Sequence, residues 1–402
     1  MIQNPRILYV DISLQALNPT NTLMPNLVKH AGDVTYYGPG FVDLKNLQHG
    51  IRKFIDNTGP YDVLFVGPNI PVLVEPEKWS DSLFYIRKYS VCSTDIRTNH
   101  DFLKDFFRNL GLLDVRVKLA CFILLDYYGS TKRQIDRVLE LKLNVLAPDA
   151  GFVESIDGIP PSLLSEAHVI RKRSRLSDAW LNFLTLNPDM VVSGLHFMAE
   201  SEFNFGGLHG RMHQISVPGA EYLLRRKARQ ILKKSGLKLA SKRIFNLFKI
   251  CNKVGLPVYS NHSALKIFNI SYRRGLENTQ FVYAARGAFG IPVRKFFEIP
   301  ASGALMICVP PVNMKNLGFV NETNYIDCNP ENLIDVVFEL SRDFDKAQNI
   351  ARAGQDLIFR EHSLLARARQ LKKCLQLMCS SNYAGSSWVS GDFVVEKKSC
   401  AD

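Results

Sequence analysis

Apolar residues gather along this chain in short runs rather than in strict alternation. In the first half they recur at Ile7–Val10, Val34–Tyr37, Val63–Val66, Ala120–Leu125, Asn144–Ala147 and Met190–Val192, mostly ending at Gly, Pro, Asp or Asn. Runs of this length predict parallel strands covered on both faces. Segments between them keep a helical period, as over Lys132–Leu143, where Ile135, Val138, Leu139 and Leu143 share a face. Strand and helix in turn predict a doubly wound sheet. The second half repeats the grammar, with strands at Gln214–Val217, Gln280–Ala284, Leu305–Val309 and Tyr325–Asp327 and helices near Glu221–Lys234, Lys242–Lys253, Val293–Ile299 and Glu331–Phe344. Two Rossmann-like domains follow, 1–210 and 211–360, with the glycine-dense Phe205–Gly210 as hinge. Beyond them Lys346–Arg360 and Ser363–Met378 predict two helices, the second within a segment 361–379, and Ser-rich residues 380–402 predict a mobile tail.

Composition agrees with two ordinary cores: 402 residues, 46% hydrophobic and 22% charged. No apolar run approaches the roughly 18–20 residues that cross a bilayer. The opening MIQNPRILYVDIS has no basic-then-apolar leader pattern and reads as a first strand, which predicts a cytoplasmic address. Eight cysteines stand without CxxC or zinc spacing and read as free thiols. The net charge of +12 includes clusters at Arg171–Arg175 and Arg225–Lys234. These are either solvated helix faces or attractors of phosphate on a nucleotide, an anionic membrane or a nucleic acid. The absence of a Walker A loop, an HEXXH helix, a metal-ligand cluster and a Gly-x-Ser-x-Gly elbow argues against P-loop NTPases, zinc peptidases and serine hydrolases.

The most informative segment is Ala285–Pro310, ARGAFGIPVRKFFEIPASGALMICVP. A strand enters a loop carrying Gly287 and Gly290. Pro292 stands where a first helical turn favours proline, and Pro300 with Gly303 ends the helix before the next strand. Such a loop presents unpaired N–H groups and the positive end of a helix dipole, a setting for a diphosphate. A second strand–turn–helix, ISVPGAEYLLRRKARQILKKSG, has Gly219 in its turn and Tyr222, Arg225 and Arg226 on the first turns of a basic amphipathic helix.

RKFFEIPASGALMI, then GFVNETNYIDCNPENLIDVV and NIARAGQDLIFREHSLLARARQL, resemble the C-terminal half of CgeB-like glycosyltransferases, relatives of the group 1 enzymes with the GT-B fold. The likeness runs from about Val217 to Leu371; the first half is similar in layout only. The resemblance implies two Rossmann-like domains facing across a cleft, with a C-terminal helix crossing back to the first. It also implies a nucleotide-sugar donor (UDP-, GDP- or similar) on the second domain, a glycan, glycolipid or glycoside acceptor on the first, and retaining transfer. Glu298 matches the second glutamate of the family's E-x7-E pattern, which accepts from the nucleotide ribose; Arg294 precedes it by one turn and shares its face. The first glutamate of that pattern is replaced by Gly290.

A cation at Arg225 or Arg226 would neutralise the leaving diphosphate without a metal. In the first domain, Asp126 and Tyr127 at a strand end, and His196, Glu200, Glu202 and His209 near the hinge, are candidates to orient or deprotonate an acceptor hydroxyl. Three readings remain open: a metal-independent glycosyltransferase with peripheral contact to an anionic membrane at its inner surface, a glycosyltransferase acting on modified nucleic acid, and a GT-B-shaped binding protein without catalysis.

Overall fold

The computed structural model describes residues 3–15, 19–73, 91–92, 95–122, 131–147, 178–194, 196–219, 223–240, 246, 248, 250–251, 253–254, 262–286 and 292–399. The first lobe is a sheet of six parallel strands: β1 (Arg6–Val10), β2 (Asp33–Tyr37), β3 (Val63–Val66), β4 (Val117–Cys121), β5 (Leu143–Ala147) and β6 (Val191–Ser193). Their spatial order is β2-β1-β3-β4-β5-β6. Successive residues of β1 go to opposite cores: Leu8 and Val10 to one, Ile7 and Tyr9 to the other. Both faces are therefore covered, and the strand reads as a continuous apolar run.

The first of these cores is roofed by α2 (Leu44–Thr58), α3 (Ile96–Asn109), α4 (Lys132–Glu140) and α5 (Asp178–Leu186). The other is roofed by α1 (Pro19–Ala31) and by a helix from the far end of the chain.

The second lobe has four parallel strands, β7 (His213–Ser216), β8 (Thr279–Ala285), β9 (Leu305–Val309) and β10 (Ile326–Asp327), in the order β10-β9-β8-β7. On one face lie α6 (Leu223–Leu232) and α9 (Leu333–Arg342); on the other lie α7 (His262–Glu277) and α8 (Lys295–Ala301). α10 (Phe344–His362) contributes to both cores of this lobe. The two helices expected near Glu331–Phe344 and over Lys346–Arg360 are α9 and α10, separated at Asp343, which leaves helical geometry and accepts from the Lys346 amide at 3.1 Å to start α10.

Among the described residues the chain passes from the first lobe to the second and back at adjacent places. Phe197 packs in the first lobe and Met198 in the second, so the outward crossing precedes the glycine-dense stretch. The return lies between Ile358 and Leu364, where α11 (Leu364–Cys379) begins and lays Leu371, Cys374 and Leu375 on the first lobe. The crossings bond to each other: Met198 N–H donates to the His362 carbonyl at 3.0 Å, and Leu364 N–H donates to the Met198 carbonyl at 2.8 Å.

Residues 383–397, expected within a mobile tail, instead form an antiparallel hairpin of β11 (Tyr383–Val389) and β12 (Asp392–Lys397). It bridges the lobes. Tyr383 Oη donates to the Val191 carbonyl and Ser193 N–H donates to Ser386 Oγ at 3.0 Å, while Gly391 N–H donates to the Asn316 carbonyl at 2.9 Å. Trp388 is buried in the second lobe's core, with the Arg367 guanidinium 4.4 Å over its ring. Among the described residues no helix is long and apolar enough to cross a membrane.

Candidate functional site

Open parallel sheets receive ligands outside the carboxyl ends of their strands. In the second lobe those ends are Ser216 on β7 and Ala285 on β8, and three cations converge there. α6 carries Arg225 and Arg229 one turn apart on its inner face, 3% and 9% exposed. Arg225 Nη2 donates to the Ala285 carbonyl at 3.3 Å, and Arg229 grips the Val217 and Gly219 carbonyls at 2.7 and 2.5 Å. Lys295 comes from α8. Gly219 sits between them with φ +97°, and a Cβ there would lie 2.7 Å from Lys295 Cε and 3.0 Å from Arg225 Nη1. The positive φ is what requires glycine at this turn, and any Cβ would also displace the ends of both cations.

Lys295 Nζ donates to Tyr272 Oη at 2.9 Å, and Tyr272 Oη donates to Glu298 Oε2 at 3.0 Å. Burial pushes the Lys295 ammonium down to about 8; Glu298 holds it up, while Arg225, Arg294 and Arg229 push it further down. Burial, with Glu298 beside it, raises the Tyr272 phenol well above its ordinary value. A group that accepts charge from this cluster would relieve the crowding of like charges. Arg286 follows β8 directly, and its Nε is buried without a protein acceptor.

Glu298 and Arg294 do share a face, with Nε 3.4 Å from Oε1. Arg294 is otherwise committed to the crossing. Its Nη2 donates to Glu202 Oε1 and Oε2 at 2.6 and 2.8 Å, and its Nη1 donates to the Phe197 carbonyl at 3.3 Å with Met198 Sδ at 3.2 Å. Glu202 Oε2 also accepts from the Ala199 amide at 2.8 Å. Arg294 thus ties the second lobe to the outward crossing, and Glu202, expected as an acceptor-side group, is its counter-ion.

His196 is half-buried with Nδ1 3.5 Å from Thr20 Oγ1, its carbonyl accepts from Arg367 Nε at 3.0 Å, and its ring lies 5.7 Å from Phe297. Glu200 is exposed in a short turn of helix, and Arg226 is half-buried on α6. Asp126, Tyr127, Tyr222, Gly287 and Gly290 lie outside the described residues, as does the basic cluster at 171–175. The other basic cluster is no single surface: Arg225 and Arg229 turn inward, leaving Lys227, Lys233 and Lys234 exposed.

Sequence reasoning did not single out Arg229, Lys295 or Tyr272. Arg229 was within reach, since it stands four residues after Arg225 and shares its face. Tyr272 meets Glu298 of α8 from 26 residues away and Glu202 meets Arg294, just before α8, from 92, and no local period carries that information.

No curated protein matches the sequence. Among solved structures the chain is similar to Anabaena HepE in complex with UDP-glucose, at a TM-score of 0.47 and 11% identity over 92% of this chain and 99% of that one. It is also similar to a glycosyltransferase from Rickettsia africae (TM-score 0.43, 12% identity, 93% and 98% covered). T4 phage BGT in complex with its UDP-glucose substrate gives a TM-score of 0.44 and 10% identity, with 93% and 99% covered. Residues 257–373, which carry Tyr272, Lys295, Arg294 and Glu298, match the family of glycosyl transferase-like proteins.

Proposed function

We propose that the protein is a glycosyltransferase that holds a nucleotide-sugar donor at the carboxyl ends of β7 and β8. The observation that carries the reading is the convergence of Arg225, Arg229 and Lys295 around Gly219, beside Glu298 on a segment of glycosyl transferase-like sequence. In this reading Glu298 accepts from the ribose, and Arg225 and Lys295 meet the diphosphate. As the sugar leaves, negative charge grows on the diphosphate, and preorganised cations stabilise it without needing to reorganise. Transfer is then independent of a divalent ion and, following the CgeB-like pattern of residues 294–371, retains the anomeric configuration. The acceptor is a glycan, glycolipid or glycoside on the first lobe.

The glycine at position 290, where the family carries glutamate, favours a second reading in which the donor is bound but not transferred.

A thermal-shift screen with UDP-glucose, UDP-galactose, GDP-mannose and ADP-glucose tests the first reading. A ligand at 100 times its Kd that binds only the native state stabilises it by about 2.7 kcal/mol. Stabilisation by one nucleotide class, followed by sugar release that persists in EDTA, is expected. No shift with any of the four contradicts donor binding, and a shift without turnover supports the second reading.

A further inference from the structure

In the first lobe, β1 and β3 are neighbours, and the described helices that come next in the chain lie on opposite faces. α1 packs with α11 in one core, and α3 packs with α2 in the other. Between the carboxyl ends of β1 and β3 the winding of the sheet reverses, and at such a point doubly wound sheets open a crevice for ligands. One residue dominates this place. Asp11, directly after β1, is 1% exposed.

Its Oδ1 accepts from the amides of Ile12 at 2.9 Å and Asn69 at 3.1 Å. Its Oδ2 accepts from Tyr9 Oη at 2.8 Å and Asn69 Nδ2 at 3.1 Å. Asn69 Nδ2 also donates to the Ile12 carbonyl at 3.1 Å, so the loops after β1 and β3 are laced through one carboxylate. The fold makes room for it: a Cβ on Gly67 would lie 2.3 Å from the Asp11 carboxyl.

Taking a carboxylate out of water costs several kcal/mol even when well bonded, more than is needed merely to join two loops. Among the described residues the titratable groups facing Asp11 are Tyr9 from its own strand, with Tyr36 of β2 beyond it, and Cys121 of β4; the remaining partner, Asn69, is neutral. None of these supplies a positive charge. Among the described residues the ionised form is therefore held by hydrogen bonds, and protonation would turn an acceptor into a donor against amides that also donate.

We propose that Asp11 is a positioning residue for transfer, holding the loops after β1 and β3 in the arrangement that seats the attacking hydroxyl or water against the donor sugar. The proposal rests on the transferase reading above. It concerns the first lobe, whereas the cations that bind donor in that reading belong to the second. Burial pushes the Asp11 carboxyl up to about 7 while its four hydrogen bonds pull it down, so the ionised arrangement is established as pH rises through about 7.

The test uses full-length wild type, Asp11→Asn and Tyr9→Phe. Kd is measured for UDP-glucose, GDP-mannose and ADP-glucose, together with the rate at which each bound donor loses its sugar to water. Asn keeps the shape but presents an NH2 to amides that need an acceptor. We expect Asp11→Asn to lower kcat for hydrolysis about tenfold or more with donor Kd unchanged. We also expect the rise of kcat between about pH 6 and 8 to disappear in that variant. Tyr9→Phe removes one donor to the carboxylate and moves the rise to higher pH. A structural role would instead lower the melting temperature of both variants and leave the wild-type pH profile in place. Unchanged kcat and pH profile in folded Asp11→Asn overturns the inference while leaving the donor site standing. Wild type that binds none of the donors overturns the transferase reading and this inference with it. Wild type that binds donor but never releases sugar overturns the inference and supports the reading in which donor is bound but not transferred, leaving the donor site standing.

Discussion

Arg294 offers the sharpest structural perturbation, because its charge is buried and its partners are few. The side chain is 7% exposed and that of Glu202 is 20% exposed. Glu202→Ala removes both short contacts to Nη2 and leaves the guanidinium with Glu298 at 3.4 Å, one carbonyl and one sulfur. Removing one partner of a buried ion pair costs about 3–5 kcal/mol, since the other charge stays desolvated. Glu298 remains as partial compensation, which sets the expectation at the lower end, about 3 kcal/mol.

In lobes of this size each kcal/mol moves the melting temperature by about 2–4 °C, giving a fall of roughly 6–12 °C by scanning calorimetry. Two comparisons sharpen the reading. Glu331→Ala breaks the exposed ion pair with Lys227 and should cost less than about 1 kcal/mol. Glu202→Ala combined with Arg294→Met removes both charges and should recover part of the loss, because no unpaired ion is left behind. If Glu202→Ala melts no lower than Glu331→Ala, or if the double variant is worse than the sum of its parts, Arg294 is not the clamp described above.

Donor affinity should fall as pH rises through about 8, because Lys295 is charged below that value and neutral above it. In Lys295→Met, titration calorimetry with the donor nucleotide should give weaker binding with this dependence gone; an identical fall in the variant would assign it to another group. Trp388→Ala should cost about 3–5 kcal/mol by urea unfolding, as truncation of a buried aromatic does. A loss below about 1 kcal/mol would mean that the hairpin is not part of the second lobe's core.

Strands were legible where burial on both faces makes a run of apolar residues. β1, β3, β5 and β9 lie within a residue of the expected bounds, since nothing in RILYV, VLFV, LNVLA or LMICV competes with strand. The hairpin was illegible because YAGSSWV spends its inward positions on Gly and Ser as well as Tyr and Trp, with an irregular register at Tyr383 and Gly385. Its burial comes from the return crossing, where Trp388 packs on His362 and Arg367, and from the second lobe's core, contacts that local sequence does not carry. In the candidate site, Arg225 was singled out by its place after a glycine turn and Glu298 by the resemblance of its segment to the family's glutamate pattern, and their contact with donor is the proposal made above. The commitment of Arg294 to Glu202 was not, because it depends on where the chain leaves the first lobe. Asp11 was also missed: a lone Asp ending a strand is common, and only the strand order makes its position special.

The central claim is that the second lobe binds a nucleotide sugar through Glu298 and the cations around Gly219. It is tested most directly by titration calorimetry of the stabilising nucleotide against wild type and Glu298→Ala, with the melting temperature of each. A carboxylate accepting from two ribose hydroxyls makes charge-assisted bonds, so the variant should lose about 1.5–3 kcal/mol of binding, about ten- to hundredfold in Kd, while remaining folded. Unchanged nucleotide affinity in a folded Glu298→Ala protein would contradict the assignment of the site.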